Sequence, residues 1–376
     1  MVPEQDVIVV GAGPAGAIAA LVLARVGVRV RVLDRARFPR FKLCGDSVNP
    51  GALAILTRLG IAAAVDHALP VDGMIVTSES GTRCEGRYGG QQGRMISRHR
   101  LDHALLASAR AAGVCVEEGV LVQAPLVDEG RVRGVVLARA DRQCRLRAPI
   151  VIAADGTSSR VARALGLARH ARHPRRWAVG AYFEDAGGVE GAGCFGEMHL
   201  RAGRYIGIAP LPGGVTNACV VTADRAALRD PARLLGDTLR TDPQLADRFA
   251  GARMITRPVC LGPLAVESTA SGVPGLLLAG DAAGFIDPMT GDGLRFALRG
   301  GELAAHAALA ALEHGRADAH VLLSRMRRRE FASKWRFNRA LRALAGSPLA
   351  MRVASRGAHW APRWLERTIR YAGDAG

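Results

Sequence analysis

From Val7 to Ala24 the chain carries no charge, and Gly11, Gly13, Pro14 and Gly16 interrupt this apolar run. A stretch of that length is long enough to cross a bilayer. The acidic Glu4 and Asp6 before it, and the glycines within it, favour a strand, a turn and a buried helix over a signal peptide or membrane span. The pattern predicts a strand at 6–10, a glycine turn at 11–16, a helix at 17–26 and a strand at 28–33 closed by Asp34. That is a β-α-β unit.

A basic loop follows at 35–44. Helical spacing returns at 51–59 and 101–112, each stopped by a glycine, Gly60 and Gly113. Strand-like runs occupy 114–122, 132–138 and 146–154. Between 177 and 222 the texture changes to strands alternating with Gly and Pro turns, at 178–184, 205–209 and 217–222. The stretch 228–249 reads as one helix, 275–279 as a buried strand, and 294–312 as a long Ala/Leu helix. The fold class predicted is α/β with an α+β insert: a Rossmann-like domain interrupted by a mostly antiparallel sheet and followed by a helical tail. The expected division gives the nucleotide-binding domain 1–70, 95–175 and 265–318, the substrate domain 71–94 and 176–264, and the helical tail 319–376.

Composition adds limits rather than a function. Of 376 residues, 49% are hydrophobic and 23% charged, as in a globular protein with a sizeable core. The formal charge of +17 invites a nucleic-acid or membrane reading. Yet lysine occurs only at Lys42 and Lys334, so the positive charge is arginine spread along the chain, and aromatics at 5% leave few platforms for stacking bases. No nucleic-acid partner is expected. The seven cysteines are odd in number and form no CxxC or Cys/His cluster, so neither a disulfide framework nor a metal site is predicted. A reducing cytoplasm suits them.

Three segments carry chemistry. In Gly11-Ala12-Gly13-Pro14-Ala15-Gly16, the glycines permit a tight turn, close approach to a pyrophosphate and close helix–strand packing. The phosphates then meet free N–H groups at a helix N-terminus. Asp34 at the end of the next strand accepts from ribose hydroxyls and repels a 2′-phosphate, which favours FAD or NAD over NADP. The second segment, Ala153 to Arg160, holds Asp155-Gly156 between a strand and a helix; by itself it fits an ordinary helix cap equally well. In the third, Gly280 to Gly293, Asp281 ends a buried strand where a carboxylate needs strong donors, which ribityl hydroxyls supply. Gly291-Asp292-Gly293 opens a helix whose N-terminus stabilises charge developing on a reduced flavin.

In this order the three segments resemble the nucleotide-binding, DG and GD motifs of the para-hydroxybenzoate hydroxylase superfamily of flavoproteins. The resemblance covers residues 1 to about 312 and implies FAD in an extended pose. It assigns Gly11, Gly13, Gly16, Asp34, Asp155, Asp281 and Gly293 to the FAD site. Around them it adds Ala12, Pro14, Ala15, Arg35, Cys44, Gly45, Asp46, Val122, Gly156, Gly280, Pro288, Gly291, Asp292 and Leu294. Arg98 resembles the family arginine that reaches toward the pyrophosphate, with Arg100 a neighbouring competitor.

Phe41-Lys-Leu-Cys44-Gly45-Asp46 and Asn49-Pro-Gly-Ala-Leu53 resemble the geranylgeranyl reductase-like branch, as does Gly284-Phe285 where aromatic hydroxylases usually carry a histidine. The tryptophan-rich signature of the related halogenases is absent, with Trp177 standing alone. The implied activity is hydride transfer to a carbon–carbon double bond of a hydrophobic substrate. The alternatives are an aromatic or polyketide monooxygenase and, from another class, a basic membrane- or nucleic-acid-binding protein with a vestigial flavin fold. No second glycine fingerprint is present, so NAD(P)H and ferredoxin both stand as electron donors. Cys44, near Arg40 and Lys42, is either a thiol of lowered pKa with a catalytic part or a small residue shaping the loop. Trp177, His199 and Tyr205 are candidates to line a substrate pocket, or are simply packed. Arg325, Arg327, Arg328, Arg329, Lys334, Arg336, Arg339 and Arg342, interleaved with Phe331, Trp335, Phe337 and Leu341, form a basic amphipathic helix. Such a helix either lies on an anionic bilayer or covers the substrate domain.

Overall fold

The computed structural model describes residues 5–139, 142–172, 175–187, 194–315, 318–345 and 362–374. The uncharged run at the start divides as its glycines require, into strand β1 (Val7–Val10) and helix α1 (Pro14–Ala24), with strand β2 (Val30–Asp34) following. Proline stands at the first helical position, where its missing N–H costs nothing. Ile18, Leu21 and Leu23 are fully buried, each stabilising the fold by about 1.5–3 kcal/mol.

These elements seed a six-stranded sheet in the order Gly272–Val273, Leu276–Leu278, Ile150–Ala153, β1, β2, Cys115–Glu118. All neighbours run parallel except the antiparallel edge pair. Val10 lies opposite Ala153, and Ala153 opposite Leu278. The residues after each strand therefore emerge side by side at one carboxyl edge, where ligands bind in open α/β sheets. Helices α1, Arg98–Ala111 and Gly293–His314 cover one face with a single apolar core. The three-stranded sheet Leu121–Asp128, Arg131–Arg139, Arg142–Arg147 covers the other.

The inserted sheet has eight strands, from Arg253–Met254 through Trp177–Glu184, Val215–Thr222, Arg204–Leu211, Phe195–Arg201 and Gly73–Thr77 to Arg83–Arg87, with Val259–Leu261 paired beside Trp177–Glu184. It is antiparallel except where Phe195–Arg201 runs parallel to Gly73–Thr77. One face packs against helix Pro231–Thr241 and the short helix Ala246–Phe249. The other turns toward the loop at 41–46 and the Gly280–Gly293 segment.

Two expectations need correction. The single helix at 228–249 is broken: Asp230 caps Pro231–Thr241, and Asp242, forced extended before Pro243, ends it. The long tail helix, Ala319–Ala345, packs mainly on the nucleotide-binding domain, against Gly293–His314 and the strands Gly272–Val273 and Leu276–Leu278, and meets the substrate domain only near its end, where Leu341 joins the cluster of Ala178, Tyr205 and Val221. Its aromatic side points inward, with Phe331 fully buried edge-on to Phe296 and tilted against Trp335. Trp360 and Trp364 of the tail lie outside the residues whose side chains are described.

Candidate functional site

The strand register brings all three motifs to one place. Gly11 has φ +96, and a Cβ there would stand 2.5 Å from the Ala154 carbonyl oxygen, so the first motif presses directly on the second. Gly280 sits against α1, its missing Cβ 2.8 Å from the Ala15 methyl, which draws in the third. Only glycine tolerates such approaches.

Asp34 is buried and already has two partners. Its Oδ2 accepts from the Ala12 N–H at 2.7 Å and its Oδ1 from the Ala36 N–H at 2.7 Å. The carboxylate thus holds the glycine loop in shape, with lone pairs left for ribose hydroxyls. Asp155 accepts from the Arg160 N–H at 2.9 Å through Oδ2, while its Oδ1 is buried with no partner. Burial pushes its carboxyl pKa up. An orphaned buried acceptor beside a glycine cradle is what a ligand hydroxyl or N–H donor would satisfy.

The sequence reading passed over two cations. Arg40 Nη2 lies 3.5 Å from the place a Cβ would occupy on Gly13, and Lys42 Nζ lies 3.6 Å from the corresponding place on Gly156. Both come from the basic loop, and their spacing of two, putting both on one side of an extended segment, was the available signal. Burial lowers the pKa of each, with Asp102 and Asp281 opposing it. By contrast Arg98, the expected pyrophosphate ligand, is buried and spent on Asp102, through Nε at 2.6 Å and Nη2 at 2.9 Å. Arg40 shares that carboxylate at 3.0 Å. Arg98 and Asp102 therefore position Arg40 beside the glycine loop, and Arg100 is exposed.

Several assigned residues have other surroundings. Arg35 and Gly45 are exposed, and Val122 belongs to the apolar core under the three-stranded sheet. Leu294 is buried in the main core. Asp292 is buried and held from behind by Asn49 and Asn338 at 3.3 Å each and by Lys334 at 3.6 Å. Its carboxyl pKa is pushed up to about 6, chiefly by burial. It braces the Gly291–Gly293 turn, in which Gly291 has φ +69 with nothing within 4 Å of its missing Cβ.

The Cys44 thiol reverses the expected shift. Burial raises its pKa, and nearby Arg98 offsets this only in part.

The three substrate candidates are divided by the pleat. Tyr205 lies opposite Leu200 and Val221, on the face toward the loop at 41–46. Its hydroxyl donates to Asp287 Oδ1 at 2.6 Å, and Arg176 holds Asp287 Oδ2 at 3.2 Å. His199 and Trp177 fall on the opposite face by the same register. There His199 is buried between Thr77, at 2.8 Å, and Glu197, at 3.0 Å. It holds the sheet together away from the motifs.

The residues fit FAD: a glycine loop at a helix N-terminus with Arg40 beside it, Lys42 beside Gly156 of the second motif, a carboxylate for a ribose, and an orphaned acceptor between the motifs. Fold and site define a flavoprotein oxidoreductase. The chain is an FAD-dependent enzyme of the FAD binding domain family, whose pattern matches residues 4–226, and lies in the geranylgeranyl reductase-like branch. It is 34% identical to digeranylgeranylglycerophospholipid reductase 1 of Methanopyrus kandleri, over 85% of this chain and 84% of that one. Menaquinone reductase of Mycolicibacterium smegmatis is 32% identical, over 80% and 76%. The flavin-dependent brominase Bmp2 superposes with a TM-score of 0.86 over 98% of this chain and 93% of that one, and at 19% identity it shares the fold alone.

Proposed function

We propose that the chain reduces a carbon–carbon double bond in a long apolar substrate of prenyl type. The observation that carries this is the face of the inserted sheet turned to the motifs. It presents Ala178, Gly180, Cys219, Gly207 and Ala209 together with Met198 and Leu200. Beside Gly207 nothing stands within 4 Å of the missing Cβ. Leu43 and Cys219 fill the place beside Gly180, so the room lies at Gly207, and flexible Met side chains conform to an unbranched or methyl-branched chain. Phe285 extends the same apolar wall with Met289. The names of the relatives, reductases of a geranylgeranyl phospholipid and of a quinone, support the reading.

Bound FAD supplies the hydride. The chain does the rest. Arg40, Lys42 and the Gly11–Gly16 loop would hold the pyrophosphate, and Asp34 and Asp155 the sugar hydroxyls. The N-terminus of helix Gly293–His314 would face the oxygen that becomes negative on reduction, and the apolar sheet face would exclude water from the bond being reduced. Peripheral contact with an anionic membrane, where such substrates dissolve, belongs to the same proposal; among the described residues no helix is long and apolar enough to cross one.

The test is anaerobic. The holoprotein, reduced chemically, is mixed with a geranylgeranyl lipid. Flavin reoxidation matched to addition of two hydrogens per double bond is expected. Reoxidation only by oxygen, with an oxygen atom appearing in the substrate, would replace this reading by the monooxygenase.

A further inference from the structure

Reducing a double bond takes a hydride on one carbon and a proton on the other, so an acid is needed beside the bond being reduced. The face of the inserted sheet turned to the loop at 41–46 carries two tyrosines held by carboxylates. Tyr205 is almost fully buried, and the charge of its partner Asp287 is already matched by Arg176. Tyr182 is different. It is half-buried on the strand Trp177–Glu184, with Phe41 6.4 Å away, and its hydroxyl donates to Asp46 Oδ2 at 2.8 Å.

Asp46 is fully buried and sits at φ +52, an uncommon backbone conformation for a residue with a side chain. Asn217 Nδ2 donates to the same Oδ2 at 2.8 Å, and the Arg98 N–H donates to Oδ1 at 3.1 Å. Three elements thus converge to fix one carboxyl group. The charged and titratable groups facing it are Arg98, whose guanidinium is engaged by Asp102, together with Cys44, Cys219 and Tyr182. No cation makes a side-chain ion pair with Asp46 among the described residues. An unpaired buried carboxylate favours its neutral form.

We infer that Tyr182, backed by Asp46, is the acid that delivers the proton completing double-bond reduction; this rests on the reductase reading above. When Asp46 is protonated on Oδ2, that oxygen keeps one lone pair for Asn217 and donates its hydrogen to the Tyr182 oxygen. The hydrogen bond between them is reversed, and the phenol hydrogen is freed for a substrate lying along the sheet face. As hydride reaches one carbon from the reduced flavin, the Tyr182 O–H bond breaks and a C–H bond forms on the other. The Asp46 O–H bond breaks in turn and restores the phenol, leaving Asp46 as carboxylate until solvent reprotonates it. Charge and protons balance, and Tyr182 is never left as phenolate.

Burial pushes the Asp46 carboxyl up to about 7, while it and the Asp46 charge together raise the Tyr182 phenol. A carboxyl raised in this way predicts that turnover falls as pH rises through about 7. The experiment has two arms. Isotope-edited infrared spectroscopy of the apoprotein should show an Asp46 carboxylic C=O band that fades as pH rises through about 7 and is absent from Asp46→Asn. Asn tolerates the same backbone conformation, so that variant keeps the loop. In the reduced holoprotein, Tyr182→Phe and Asp46→Asn should each slow flavin oxidation by a prenyl lipid at least about 100-fold, the usual contribution of a general acid. Absence of a protonated Asp46 band down to pH 5, or full wild-type rate and pH profile in Tyr182→Phe, overturns the inference. Failure of wild type to reduce any double bond instead sinks the reductase reading and the proton's destination with it.

Discussion

Gly11 shows how one residue can hold a site together. Its positive φ and its contact with Ala154 leave no room for a methyl group. Gly11→Ala is expected to cost at least about 2 kcal/mol, from left-handed strain plus the clash with backbone. The loss should appear in urea unfolding of the apoprotein, and FAD titration should show affinity reduced more than about tenfold. Undiminished FAD binding would mean that the first and second motifs do not need this contact. The same scale shows why types alone mislead. Arg98 had the right type and a suitable place in sequence, yet Asp102 sits one helical turn away and claims it. In the sequence Arg40 and Lys42 of the basic loop stand out only as neighbours of Cys44, and folding sets one beside Gly13 and the other beside Gly156.

At the scale of elements, the turn Gly291–Gly293 is supported from the tail. Lys334 of helix Ala319–Ala345 is buried, 2.9 Å from Asp374 Oδ1 and 3.6 Å from Asp292 Oδ1, and it donates to the carbonyls of Tyr371 and Ala372. One ammonium group thus joins the turn, the long tail helix and the last helix, Pro362–Gly373. Lys334→Met keeps the stem's volume and leaves Asp292 without its cation. Breaking one side of a buried pair costs about 3–5 kcal/mol, so a fall of that order is expected in denaturant unfolding. A change below about 1 kcal/mol would show that Asn49 and Asn338 alone satisfy Asp292. This support was not readable in advance, because Lys334, Asn338 and Asp374 lie far from Asp292 in sequence and belong to no motif.

At the scale of the molecule, the tail helix uses its apolar side for packing and leaves Arg325, Arg328, Arg329, Arg336 and Arg339 exposed. The prediction for this surface is electrostatic rather than insertive membrane contact, at about 1 kcal/mol per basic residue near an anionic surface. Co-sedimentation with phosphatidylglycerol vesicles at low salt is expected, lost at high salt and absent with neutral vesicles. Equal binding to neutral vesicles would point to the exposed Phe41 and Tyr371 instead.

The sequence by itself determined the β-α-β unit, the order of the three motifs and the FAD they hold, because each is written in residues adjacent along the chain. Glycines placed where backbones must touch, and carboxylates at strand ends, declare themselves without tertiary context. The three-dimensional structure decided which cations reach the glycine loop, which sheet face His199 and Tyr205 occupy, and that Asp46 meets Tyr182. Those outcomes depend on strand register and on ion pairs between distant segments, where a shift of one residue exchanges the two faces of a strand.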